Sequence, residues 1–183
     1  MRIRALVLGA AALLALAVGG CGEDAEPARP PGGGGNVAGG SGDGVKLDNV
    51  DACALLSDEE LQTFFGEPAG GKEPRDGVFM KACALDNASE KSYVFISVMV
   101  TPTGDKEQFD YNKSVAKNAV AVSGVGDEAF GWYDEDEAQI EARHRGAVVG
   151  VGLTLHVGFG TLDDPKATLD KVTVLAKQAL ARL

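Results

Sequence analysis

The chain has 183 residues, 45% of them apolar, with 17 Lys and Arg against 27 Asp and Glu and a formal charge of −10. That length suits one domain with its own hydrophobic core. The acidic balance argues against nucleic acid or an anionic membrane surface as the main partner, because both reward clustered Lys and Arg.

Arg2 and Arg4 open the chain, an apolar run over 5–18 follows, and Gly19, Gly20 and Cys21 close it. A basic start, an apolar middle and a small-residue end are the three parts of a signal peptide. The apolar run is about 14 to 16 residues long, short of the about 20 that a membrane-spanning helix needs. Leu16-Ala17-Val18-Gly19-Gly20-Cys21 resembles the bacterial lipobox, in which the cysteine sulfur takes a diacylglycerol before cleavage. This reading makes residues 1–20 a leader and Cys21 the lipidated first mature residue, since two or more acyl chains anchor a protein stably. The mature charge is then −12, because the leader carries two arginines and no acid.

Residues 22–46 hold nine Gly and three Pro in 25 positions. Such a segment cannot bury enough surface to offset its ordering entropy, so 21–46 reads as a lipidated cysteine on a tether. A flexible chain of that length spans roughly 25–30 Å. Residues 47–183 remain for a single domain. With Cys21 assigned to lipid, Cys53 and Cys83 form an even pair in an oxidising compartment, which predicts a disulfide. Two reduced, buried thiols are the alternative.

Within the domain, Ser57 and Glu60 form the two halves of a capping box, with Leu56 and Leu61 placed to clasp across it. Gly66 and Pro68 end that helix. Apolar and β-branched residues predict strands over 78–85 and 92–101. In the second, Val94, Ile96, Val98 and Val100 share one face and Tyr93, Phe95 and Met99 the other, which reads as a central, well-covered strand. A helix follows over 103–118, with Phe109, Lys113 and Ala116 near one side, then a strand over 129–133 and an acidic turn, Asp134-Glu135-Asp136-Glu137. Strands over 138–145 and 147–157 pair about Arg145-Gly146. If His144 faces Ala147, then Ala142, Ile140 and Ala138 face Val149, Val151 and Leu153, a match that a one-residue slip destroys. Asp164-Pro165 starts a last helix, with Leu169, Val172, Ala176, Ala179, Leu180 and Leu183 as its apolar stripe. The fold class is α+β, an antiparallel sheet of about five strands with helices packed against it.

No nucleophile elbow, His-Glu-x-x-His motif or phosphate loop is present, and the residues imply no metal, cofactor or catalytic set. The acidic turn lacks the spacing of a calcium loop and reads as solvated. The hairpin register puts His144 and His156 on opposite faces, so they do not share a ligand. Gly150 and Gly152 leave a shallow trough beside Glu141 and His156, because glycine in a strand marks a close backbone approach. Either neighbouring side chains cover that trough or a ligand docks in it. His156 lies toward Glu135, as a surface ion pair or as an acid–histidine site.

A lipobox cysteine, a Gly/Pro tether, Asp51-Ala52-Cys53-Ala54-Leu55-Leu56 before a capped helix, and a second cysteine in a strand occur in that order. Val125-Gly126-Asp127-Glu128-Ala129, an Arg145-Gly146 turn and a terminal Ala179-Leu180-Ala181-Arg182-Leu183 follow. Over about residues 50–183 this resembles a family of small actinobacterial lipoproteins whose domain has no assigned function. The chain departs from it after Cys83, where Ala84-Leu85 stands in place of the usual aromatic. The resemblance implies an extracytoplasmic protein held by lipid at the outer face of the cell membrane, and it supplies no catalytic residues to carry over. The leading expectation is a non-enzymatic binding or interaction module for an envelope protein or a small ligand. The alternatives are a carrier of a hydrophobic ligand and an envelope enzyme using His156 with a nearby carboxylate.

Overall fold

The computed structural model describes residues 44–183. The leader, Cys21 and all of the tether before Gly44 lie outside the described residues. Two 3-10 turns, Leu47–Asn49 and Ala52–Ala54, lead into α1 (Asp58–Phe65). Then β1 (Ala69–Pro74), β2 (Met80–Asn87) and β3 (Ser92–Met99) form an antiparallel meander. Helix α2 (Asp105–Val115) carries the chain to the far edge. From there β4 (Val120–Val122), β5 (Glu128–Tyr133), β6 (Glu137–His144) and β7 (Ala147–Leu155) run back as a second meander. The strand order is β1-β2-β3-β7-β6-β5-β4, so the final strands of the two meanders meet at the centre. Helix α3 (Pro165–Leu180) closes the domain. No helix among the described residues is long and apolar enough to cross a membrane.

The sheet has seven strands rather than about five. The two additions are edge strands with little sequence signal. β1 reads Ala-Gly-Gly-Lys-Glu-Pro and is exposed along almost its whole length, and its Pro74 is tolerated because an edge strand has hydrogen bonds to spare. β4 is only three residues long.

Elsewhere the pattern decides the structure. Along β3, Val94, Ile96 and Val98 are fully buried while Tyr93, Phe95, Ser97 and Met99 are partly exposed, the period of two that separates the faces of a strand. β6 and β7 pair with His144 opposite Ala147, Ala142 opposite Val149, Ile140 opposite Val151 and Ala138 opposite Leu153. Arg145 and Gly146 both have positive φ, 49° and 79°, which gives the tight turn the twist its strands require.

One face of the sheet meets α3, whose Leu169, Val172, Leu175, Ala176, Ala179 and Leu180 are buried against it. A Cβ on Gly131 of β5 would lie 2.9 Å from Leu169 Cδ1, so the bare backbone there lets α3 approach closely. α1 joins the same layer. Ser57 Oγ accepts from the Glu60 N–H and Glu60 Oε2 accepts from the Ser57 N–H, completing the capping box. Gly66 ends the helix with φ 73°. The Cys53–Cys83 disulfide ties the second 3-10 turn to β2 beneath that layer. Just ahead of the first 3-10 turn, the Val45 N–H donates to the Arg145 carbonyl.

Candidate functional site

The opposite face of the sheet is built differently. Its side chains fall in cross-strand rows, because residues paired across antiparallel strands project to the same side. The first row is Asp86, Tyr93, Thr154 and Glu137, running from β2 to β6. The second is Ala84, Phe95, Gly152, Gln139 and Trp132, and the third Ala82, Ser97, Gly150, Glu141 and Phe130. Helix α2 covers the β5–β7 part of the third row and what lies beyond it. Its Phe109 is fully buried, edge-on to Phe130 with ring centroids 5.0 Å apart, and both pack on Val148. The first two rows carry the partly exposed Tyr93, Thr154, Phe95 and Gln139, and Trp132 at their β5 end packs against that cluster. This half of the face is the candidate functional site.

Two concavities flank it. One, of about 340 Å³, is lined by Tyr93, Phe95, Asp86, His156, Glu73 and Arg75. There His156 Nε2 lies 3.3 Å from Asp86 Oδ1, and the imidazole sits against the Tyr93 ring at 5.0 Å. The acid beside His156 is therefore Asp86 of β2 rather than Glu135. The Glu135 carbonyl accepts from the Leu162 N–H in the loop before α3. The β2–β3 pairing brings Asp86 in from 70 residues away. His144 is at the other end of the strands, on the face turned to α3, so the two histidines do not meet.

The second concavity, of about 390 Å³, lies between the C-terminal half of α2 and strands β5 and β6, lined by Asn112, Lys117, Trp132, Asp134, Glu137 and Glu141 among others. Glu141 is 6% exposed, and its Oε1 accepts from Asn112 Nδ2 at 2.8 Å. Burial pushes its carboxyl up from 4.5 to about 7, and the Asn112 hydrogen bond offsets only part of that. Trp132 Nε1 donates to Glu137 Oε1 at 3.1 Å, and its ring stacks on Phe130 at 5.4 Å. Burial alone would raise the Asp134 carboxyl, but the N–H groups of Asp136 and Glu137 donate to it and hold it below the usual range. Asp134 thus organises its own turn.

The trough expected over Gly150 and Gly152 is filled. A Cβ on Gly150 would lie 2.8 Å from Ser97 Oγ, and one on Gly152 would lie 3.0 Å from Gln139 Cγ. The glycines make room for these neighbours. Gly150, Gly152, Glu141 and His156 share one face, but Glu141 belongs to one concavity and His156 to the other.

Asn112, Trp132, Asp86 and Tyr93 were missed by reading the sequence. A signal existed for two of them. Asn112 lies three residues after Phe109, on the same helix face, and Trp132 alternates with Phe130 along β5. Asp86 has no such signal, because its partner His156 lies on a strand end distant in the chain.

No family model, curated protein or solved structure matches this chain.

Proposed function

We propose that the chain is a lipoprotein held at the outer face of the cell membrane through Cys21, whose domain is a binding module that takes its ligand on the open half of the second sheet face. The observation that carries the proposal is that half-face itself. Tyr93, Phe95, Gln139, Thr154 and Trp132 lie there partly exposed between two concavities. Concave surfaces mixing aromatic groups with a few directed polar groups are the usual form of ligand sites. The Cys53–Cys83 disulfide suits an oxidising compartment. The order of motifs that resembles the actinobacterial lipoprotein family supports the anchor.

Two measurements test the proposal. The wild-type chain should fractionate with membranes and Cys21→Ala should be released; retention of the variant would remove the anchor. Native mass spectrometry of the chain released in detergent should then show a co-purified small molecule that Phe95→Arg loses. A ligand retained by Phe95→Arg would place binding elsewhere, and a co-purified acyl lipid would favour a hydrophobic carrier.

The His156–Asp86 contact favours a second reading, an envelope enzyme in which the carboxylate orients an imidazole base. It requires an activity that His156→Ala abolishes while thermal unfolding stays unchanged.

A further inference from the structure

Glu141 is out of keeping with its surroundings. It sits on β6 beneath α2, 6% exposed, and Asn112 is its one hydrogen-bond partner among the described residues. The nearby cations are engaged elsewhere: Arg143 bonds Asp105 and lies 3.7 Å from Glu128, and Lys113 pairs with Glu128. Among the described residues no Lys, Arg or His lies within ion-pair distance of Glu141. A carboxylate removed from water without a counter-charge is costly, and the 390 Å³ concavity gives a counter-charge access to it.

That concavity is shaped for a positive group. Glu137 is held at the edge of the Trp132 indole by the ring N–H, and Phe130 stacks against that ring and sets its orientation. Lys117, which also lines the concavity, lies near Asp134 and helps to keep it ionised, while among the described residues Glu137 and Glu141 have no ion-pair partner. Cations are drawn to indole faces as well as to carboxylates. A metal ion fits poorly, because among the described residues no three His, Cys, Asp or Glu side chains come together to hold one.

We propose that this concavity takes a protonated organic amine, its ammonium group seated between the Glu141 and Glu137 carboxylates and against the Trp132 ring. The assignment rests on the reading of the second face as a binding surface and names the ligand chemistry of one of its two concavities. Because burial keeps Glu141 protonated up to about pH 7, seating an ammonium group there releases a proton. Affinity therefore rises with pH through that range, by about tenfold from pH 6 to pH 8.

Trp132 is the sole tryptophan of the chain, so its fluorescence reports on this concavity alone. The mature chain in nonionic detergent is titrated with cadaverine, with 1,5-pentanediol as the uncharged control of equal length and with magnesium. A saturable change with cadaverine only, about tenfold tighter at pH 8 than at pH 6, is the expected result. Glu141→Gln, which keeps the shape and removes the charge, should weaken binding at pH 8 at least tenfold and flatten its pH dependence. Glu137→Gln should weaken binding and leave the pH dependence in place. The proposal fails if cadaverine gives no saturable change, if pentanediol or magnesium reproduces it, or if Glu141→Gln binds as the wild type does. If it fails while the native ligand is still lost in Phe95→Arg, the binding face stands and only its amine chemistry is wrong.

Discussion

The two faces of this sheet are made from the same strands, yet they are different materials. The face turned to α1 and α3 is lined by Leu85, Val94, Ile96, Val98, Ile140, Val149 and Val151, all nearly or fully buried. The face turned to α2 carries Tyr93, Phe95, Ser97, Gln139, Glu141 and Trp132 at alternate positions, and one short helix shelters part of it. Residues one apart along β3 thus do unrelated work, Ile96 in the core and Phe95 beside a concavity. The contrast shows where each kind of side chain is tolerated. On the first face a polar group would lack a partner and cost stability. On the second, Glu141 survives with a single hydrogen bond, because it borders a concavity.

This contrast can be broken or sharpened by measurement. The largest effect should come from Ile96→Ala, which opens a hole in a fully buried position and should cost about 4 kcal/mol by chemical denaturation. A cost below about 1 kcal/mol would mean that the first face is not the core. Removing the cross-link with Cys53→Ser and Cys83→Ser together should cost about 3–4 kcal/mol on the chain-entropy model for a separation of 30 residues. Unchanged stability would show that the 3-10 turn is held against β2 without it.

Next in size is the pH response of Glu141. Its carboxyl is raised in the folded chain to about 7 from 4.5, so between those values the folded protein binds the proton that the unfolded chain has released. Stability contributed by this group should therefore fall as pH rises from about 4.5 to about 7, and Glu141→Gln should be the more stable protein at pH 8, by on the order of 2 kcal/mol. Denaturation midpoints of the two proteins at pH 5 and pH 8 read this directly; parallel curves would mean that Glu141 is ionised throughout. The smallest effect should be Phe95→Ala, on the partly exposed side of the same strand. It should cost about 1 kcal/mol or less. A loss equal to that of Ile96→Ala would erase the difference between the faces.

Much of the fold was legible because its signals are local. The Ser57–Glu60 capping box, the Asp164-Pro165 start of α3 and the Arg145-Gly146 turn each lie within a few residues. The β6–β7 register followed from a single alignment of apolar residues. The edge strands were not legible, since β1 lacks a buried face and β4 is too short to show a period. The site was only half legible. Placing Gly150, Gly152, Glu141 and His156 on one face followed from alternation. That Gln139 and Ser97 fill the space above the glycines did not, because it depends on where side chains from neighbouring strands lie.

By itself the sequence determined the α+β class, the pairing of Cys53 with Cys83 and the alternation that gives each strand two unlike faces. These depend on residue type and on spacing along the chain. Only the tertiary structure decided that β3 meets β7 at the centre, that α2 shelters one part of the second face, and that His156 stands against Asp86 rather than Glu135. Those outcomes depend on contacts between segments as much as 70 residues apart, where many pairings satisfy the same local pattern and close packing selects one.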